Sequence, residues 1–389
     1  MRKRLIRMRK RLTTLDLERM RVVTQPRSLA KDVAEEAGVS IATVSRVLNG
    51  KPGRISGETR DRVLAAAQRL QYKPDPRALS LRNGSSRTLG LIVPDLGDQY
   101  FQYIARGAEA AARERGYGIV FCNTDRDPAR ELAALDFLST KGVDGVVLCG
   151  GGLQDEKHLA AEAFRGLSIL SIGPHQLAVP NLAVDNRSAM HAAVSHLATL
   201  GRKRVLRIAG SRDWLITASR VEASSNAAKS LGMDTDPDLI RYSGFTAEAG
   251  AAAANEALAE KLEFDAVLAF NDYAAVGAMS VLAGEGRTIP GDVAIIGCDD
   301  TDIAAYARVP LTTIRFPTAQ LGETAVRVLC DGDPVPEDPF TYELVIREST
   351  VGDNTSASHL SRPRTLTAHP ARLDLEPADE ADPARGSHR

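Results

Sequence analysis

Residues 29–49 read LAKDVAEEAGVSIATVSRVLN. Two short helices are predicted here, Leu29–Glu36 and Ile41–Leu48. Ser28 and Ser40 stand where an N-cap is wanted, because a serine oxygen accepts from the free N–H groups of a first turn. Ala34 supplies the small residue that two closely crossing helices need. Gly38 supplies a residue tolerant of positive φ at the tight connection. Val44, Val47 and Leu48 make an apolar stripe on the second helix. Its other side carries Ala42, Ser45, Arg46 and Asn49, at i, i+3, i+4 and i+7. This is helix–turn–helix logic. Arg46 suits guanine O6 and N7, the exposed Ile41 suits a thymine methyl, and Thr43, Ser45 and Asn49 suit phosphates. The expected DNA-facing set from this stretch is therefore Ser40, Ile41, Ala42, Thr43, Ser45, Arg46 and Asn49. An ordinary αα-hairpin with a solvated outer face would share the spacing.

Charge favours the first reading. Residues 1–87 hold 21 Lys+Arg against 8 Asp+Glu, and the remaining 302 hold 28 against 42, although the whole chain of 389 residues nets −1. A basic front on an acidic body points to a polyanion partner for the front alone. Residues 1–27 are basic without apolar periodicity and are expected to be a disordered leader or the product of a start assigned too far upstream. The alternative is an extra phosphate-contacting arm. Residues 28–72 form the predicted DNA-binding domain. Its third helix, Gly57–Leu70, is capped by Ser56 and has Glu58 and Asp61 near its N-terminus. Gly50 and Lys51-Pro52-Gly53 break the chain before it. Residues 73–87, opened by Pro74 and Pro76, are a linker.

From Thr88 apolar strand candidates alternate with helix-length segments. The strands are Leu89–Val93, Gly118–Cys122, Gly145–Cys149, Ser168–Ile172, Val205–Ile208, Leu239–Tyr242, Ala266–Ala269 and Val293–Ile296. Repeated βα units mean parallel sheets covered on both faces. Residues 88–352 are too many for one such unit, so two similar lobes are expected. Residues 353–389 turn to Pro, Ser, Thr, Asp and Arg and are expected to be a disordered tail. Cys122, Cys149, Cys298 and Cys330 lie far apart in apolar stretches, as reduced core cysteines would. No apolar run reaches the roughly 20 residues of a membrane span, and no secretory h-region follows the basic start, so a cytoplasmic, nucleoid-associated protein is expected.

No GxSxG, Walker, GxGxxG or HExxH pattern occurs, so neither an enzyme nor a cofactor is expected. His191 and His196 are five apart and diverge by about 140° on a helix, a poor metal pair. No metal site is expected. A transport-type solute-binding protein would account for the α/β body but leaves the basic segment idle. Two doubly wound lobes place a ligand in the crevice at the carboxyl ends of their strands. Asp95, Tyr100-Phe101, Asp185-Asn186, Ser211–Trp214, Asn271-Asp272 and Asp299 sit at such ends. Carboxylates, amides and flat aromatics together suit a polyhydroxylated ligand.

The run Lys31–Ala34, Gly38–Ser40 and Ala42–Asn49 resembles the LacI/GalR family of bacterial repressors. The likeness continues through Glu58–Arg60, Val63–Ala67 and Tyr72–Pro74, and from Thr88–Asp95 to about Glu348. It implies an all-α helix–turn–helix domain joined by a hinge helix to a two-lobed domain like the periplasmic binding proteins. It implies a regulator, most simply a repressor, that reads a near-palindromic operator as a homodimer or a tetramer. The implied effector is a sugar or sugar derivative, with a purine-type corepressor as the alternative. In the hinge the resemblance makes Leu81 the minor-groove wedge, beside Arg77. The chain departs from the family at Leu79, where Arg is usual. The implied effector contacts are Tyr100, Phe101, Arg220, Phe245, Asn271, Asp272 and Asp299. Asp185 and the lone Trp214 join them by position, Trp214 as a stacking wall. Asp272 as a helix cap, Asp185 at the lobe crossover and Arg220 in a structural ion pair are the alternatives.

Overall fold

A computed structural model describes residues 28–48, 55–73, 84–150, 152–153, 159, 166–352 and 364–366. The expected contacts Asn49, Arg77 and Leu81, the leader 1–27, most of the linker and all but three residues of the tail lie outside them. The chain divides into two compact units between Ser86 and Arg87.

The first unit holds α1 (Ala30–Ala37), α2 (Ile41–Leu48) and α3 (Gly57–Arg69). Val33, Ala34, Val44, Val47, Val63 and Ala66 form its core. Gly38 closes α1 at φ +64°, a left-handed position that costs an L side chain energy. Ser40 Oγ accepts from the Thr43 N–H at 3.1 Å, and Ser56 Oγ from the Thr59 N–H at 3.2 Å. Ser28 does not cap α1. The helix starts one residue later, with Leu29 extended and its N–H donating to the Asp32 carboxylate at 2.7 Å. Ser28 Oγ instead donates to the Leu70 carbonyl at 2.8 Å, fastening the end of α3.

The second unit opens with β1 (Thr88–Val93), α4 (Gln99–Glu114), β2 (Gly118–Asn123), α5 (Pro128–Lys141), β3 (Gly145–Cys149), β4 (Ile169–Ile172) and β5 (Asn181–Leu182). These strands form one parallel sheet in the order β2-β1-β3-β4-β5. Next come α6 (Asn186–Thr199), β6 (Val205–Ala209), α7 (Leu215–Ser230), β7 (Ile240–Tyr242), α8 (Ala247–Ala259), β8 (Ala266–Ala269), α9 (Asp272–Gly284) and β9 (Ala294–Cys298). The remainder is α10 (Asp302–Tyr306), β10 (Thr312–Arg315), α11 (Thr318–Asp331), β11 (Glu343–Ile346), α12 (Glu348–Val351) and β12 (Arg364–Leu366). The second sheet runs β12-β11-β10-β9-β8-β6-β7, antiparallel only at β11 and β12. Thus the stretch expected as tail adds an edge strand.

Each sheet is the core of one lobe, and the chain crosses between lobes three times. It leaves the first sheet after β5, and α6 packs on the second. It leaves the second after β10, and Leu321 and Ala325 of α11 pack into the first lobe with Leu91 and Phe101. It then returns to β11. Two crossings are tied together: Asp185 N–H donates to the Phe340 carbonyl at 3.0 Å, and Phe340 N–H to the Ala183 carbonyl at 2.8 Å. Helices α4 and α11 meet backbone to backbone. A Cβ on Gly107 would strike the Ala319 carbonyl oxygen, and one on Gly322 the Ile104 carbonyl oxygen. The four cysteines are free thiols; Cys149 and Cys298 are buried, while Cys122 and Cys330 are only half-buried. Among the described residues no helix is long and apolar enough to cross a membrane.

Candidate functional site

On α2 the apolar stripe and the polar face separate as their spacing requires. Val44 and Val47 are buried against α1 and α3, Thr43 and Ser45 are half-buried, and Ser40, Ala42 and Arg46 are exposed. Ile41 is 53% exposed, unusual for a large apolar side chain at a helix start. Ala42, Ser45 and Arg46 share the face opposite Val44 and Val47, and Ser40, Ile41 and Thr43 lie at the N-terminal end of the helix.

The second unit has a cleft of about 580 Å³ between its lobes, measured out to its open mouth. Tyr100, Phe101, Trp214, Arg220, Phe245 and Asp299 line it, all expected from the sequence. Asp98, Arg126, Asn186 and Phe270 line it too. Asp185, Asn271 and Asp272 do not, because helix ends and loops already use their polar atoms. Asp185 accepts from the Ser188 N–H at the start of α6. Asn271 caps α9 through the Ala274 N–H at 2.9 Å and donates to the Phe245 carbonyl at 2.8 Å. Asp272 is fully buried and accepts from the Thr301 N–H, the Thr301 hydroxyl and the Thr313 hydroxyl at 2.7, 2.9 and 2.5 Å. It locks the turn that presents Asp299.

Arg220 is the fixed centre of the cleft. It projects from α7, is buried, and donates from Nε to Asn186 Oδ1 at 2.9 Å and from Nη1 to the Phe270 carbonyl at 2.8 Å. Its guanidinium also lies 4.7 Å from the Phe270 ring centroid. Burial opposes its charge, but the acidic groups around it, Asp299 among them, outweigh that and hold its pKa above the usual value. Asp299 follows β9 at φ +106°, a backbone region an L residue rarely adopts. Burial pushes its carboxyl up to about 7 against the pull of Arg220.

The opposite wall was less visible in the sequence. Arg126 follows β2 at φ +60° and reaches Asp98 Oδ2 at 3.5 Å. Its guanidinium sits 4.1 Å from the Phe245 centroid and 5.8 Å from that of Trp214. Burial lowers its pKa and raises that of Asp98. Asp98 also caps α4 through the Tyr100 N–H. Trp214, Phe245 and Phe270 meet edge to face, with centroids 5.8 and 4.9 Å apart, and form one aromatic wall. Burial raises the Tyr100 hydroxyl, so the phenol stays a neutral donor. The signal that would have found Arg126 and Asp98 is the same rule that found Asp299: both lie past the carboxyl ends of strands, β2 and β1.

Known proteins share both units. A family profile described as "Bacterial regulatory proteins, lacI family" matches residues 30–75. Another, "Periplasmic binding proteins and sugar binding domain of LacI family", matches residues 86–332. The chain is 34% identical over 328 residues to the HTH-type transcriptional repressor CytR of Escherichia coli (strain K12), over 82% of this chain and 95% of that protein. It superposes on the lac repressor dimer bound to operator and the anti-inducer ONPF with a TM-score of 0.77 at 25% identity, over 84% of this chain and 99% of that one. The complex of the transcriptional regulator CelR with cellobiose gives 0.61 at 29% identity, over 83% and 100%.

Proposed function

The chain belongs to the LacI family of bacterial regulatory proteins, and on that premise we propose that it is a cytoplasmic homodimeric repressor released from its operator by a sugar or sugar derivative. In this reading Ile41–Asn49 enters a major groove in each half-site, Ser40 and Thr43 hold phosphates, and Arg77 and Leu81 act in the minor groove at the centre. The lobes close on the effector and shift the population of DNA-competent dimers.

The observation that carries the effector class is Arg220, held rigid by Asn186 and the Phe270 carbonyl between aromatic faces, with Asp299 and Asp98 in the same cleft. Flat rings stack on sugar C–H surfaces, while a fixed guanidinium and carboxylates satisfy hydroxyls. The CelR structure, similar over most of both chains, holds cellobiose. The test is a thermal-shift screen of mono- and disaccharides and purines against the full chain, since a ligand of the native state raises Tm. A saccharide is expected to raise it, and Arg220→Lys to remove the shift, because a point ammonium cannot keep both fixed bonds and donate to a ligand. Stabilisation by purines alone would replace the sugar reading. Adding the ligand to an operator complex then gives the sign: release marks an inducer, tightening a corepressor. Sedimentation of that complex separates two subunits from four.

A further inference from the structure

Strand β6 carries an arginine, Arg207, in the middle of an otherwise apolar buried run. It points to the same face as Val205, under α7, and is 4% exposed. Its Nη1 donates to Ser225 Oγ at 2.8 Å. Its Nε and Nη2 are buried with no hydrogen-bond partner among the described residues. The acid whose field reaches it, Asp234, is already paired with Arg204. A buried cation without a counter-charge is a costly arrangement, because nothing replaces the hydration it loses.

Arg207 lines a second pocket, of about 280 Å³ measured out to its open mouth, which shares Arg220 and Phe270 with the effector cleft. Arg220 is among its lining residues as well, but its guanidinium is committed to Asn186 and the Phe270 carbonyl, and no carboxylate is among the walls. Thr217, fully buried on α7, lines it with a hydroxyl that has no partner among the described residues. The other walls are apolar or already bonded; the Ser224 hydroxyl donates to the Val221 carbonyl. The space left open is about that of one water-sized sphere, too little for phosphate or a carboxylic acid.

We propose that this cavity is an anion site, taking one chloride ion between the Arg207 guanidinium and the Thr217 hydroxyl. The Arg207 cation with two unpartnered N–H groups, a free donor hydroxyl and room for a single monatomic ion define the ligand class. Water offers those donors an acceptor but leaves the Arg207 charge without a paired anion, whereas chloride supplies both. The direction of the Arg207 shift, held below the usual guanidinium value by burial, agrees with a cation lacking a protein partner.

The full chain is melted in sodium chloride and in sodium gluconate at matched ionic strength and pH. The expected result is a saturable rise of about 2–4 °C in chloride alone. Arg207→Met, which fills the space without charge, is expected to melt alike in both salts. Equal curves for the wild type, or a chloride effect that survives in Arg207→Met, overturn the proposal. Crystals soaked in bromide decide it even if that variant fails to fold. An anomalous peak against Arg207 is expected, and water alone at that position overturns the site.

Discussion

Arg46 and Asp299 show how much one side chain's role depends on its surroundings. Arg46 is exposed on the polar face of α2, so removing it disturbs no packing. Arg46→Ala is expected to cost about 1–3 kcal/mol at one base position and to relax specificity there. Anisotropy titrations against operators changed one pair at a time measure this; uniform loss on every duplex would make Arg46 a phosphate contact instead. Asp299 is buried, and its carboxyl is pushed up to about 7. A carboxyl with a higher pKa folded than unfolded binds more protons in the native state. Its contribution to stability is therefore full below the unfolded value near 3.8 and lost as pH rises through about 7. Tm should fall across about pH 4–7 with a component that Asp299→Asn removes; parallel slopes for the two proteins would show the carboxyl to be solvated. Type and spacing made the exposed place of Arg46 on α2 legible in the sequence. The state of Asp299 was not legible, because it follows first from its burial in the cleft and then from Arg220 and Asp98, both distant in sequence.

At the scale of elements, most strands built of aliphatic residues were plain from sequence, but β10 and β11 were not. In β10, Thr312 and Thr313 read as polar, yet both are fully buried. They are tolerated because their hydroxyls are used: Thr312 Oγ1 bonds the Thr350 hydroxyl at 2.8 Å, and Thr313 Oγ1 donates to Asp272. The same hidden demand moved Asp272 from an expected ligand contact to a structural anchor. Helix α11 illustrates a different limit. Its helical pattern is local, but its docking on α4 in the first lobe, after a strand of the second, is a property of topology. The docking leaves a readable trace in Gly107 and Gly322, where backbones touch. Gly322→Ala is expected to destabilise the second unit by about 1–3 kcal/mol, seen as a lower urea midpoint. An unchanged midpoint would mean that the two helices separate at little cost. In the first unit, Ser56→Ala removes the cap of α3 and should cost about 1 kcal/mol. A loss no larger than that of an exposed mid-helix substitution would show the cap to be replaceable by water.

At the scale of the whole second unit, the lobes are latched on both sides of the cleft. Gln99 Nε2 donates to Asp302 Oδ2 at 2.8 Å, the Asp302 N–H returns a bond to Gln99 Oε1 at 2.7 Å, and Tyr103 Oη donates to Asp302 Oδ1 at 3.3 Å. Opposite them, the Leu215 N–H donates to the Gly152 carbonyl at 2.9 Å. These bonds exist only when the lobes are together, so they bias the closed form without touching a ligand. Gln99→Ala removes two of them, each worth about 0.5–1.5 kcal/mol at most and less where exposed, so the closed-to-open ratio should drop about 3- to 10-fold. Apparent effector affinity falls by the same factor wherever closure limits binding, and small-angle scattering of the ligand-free protein should show a larger radius that saturating ligand reverses. Unchanged affinity and scattering would mean that the latch follows closure rather than favouring it. Linkage adds a further consequence, since an effector that changes DNA affinity through closure has its own affinity changed by DNA by the same factor. If closure releases DNA, ligand-free Gln99→Ala binds operator at least as tightly as the wild type and needs more effector for release. If closure promotes DNA binding, the same variant binds operator more weakly before any ligand is added. One substitution in the second unit, titrated with operator alone, therefore reports the sign of regulation before the effector is known.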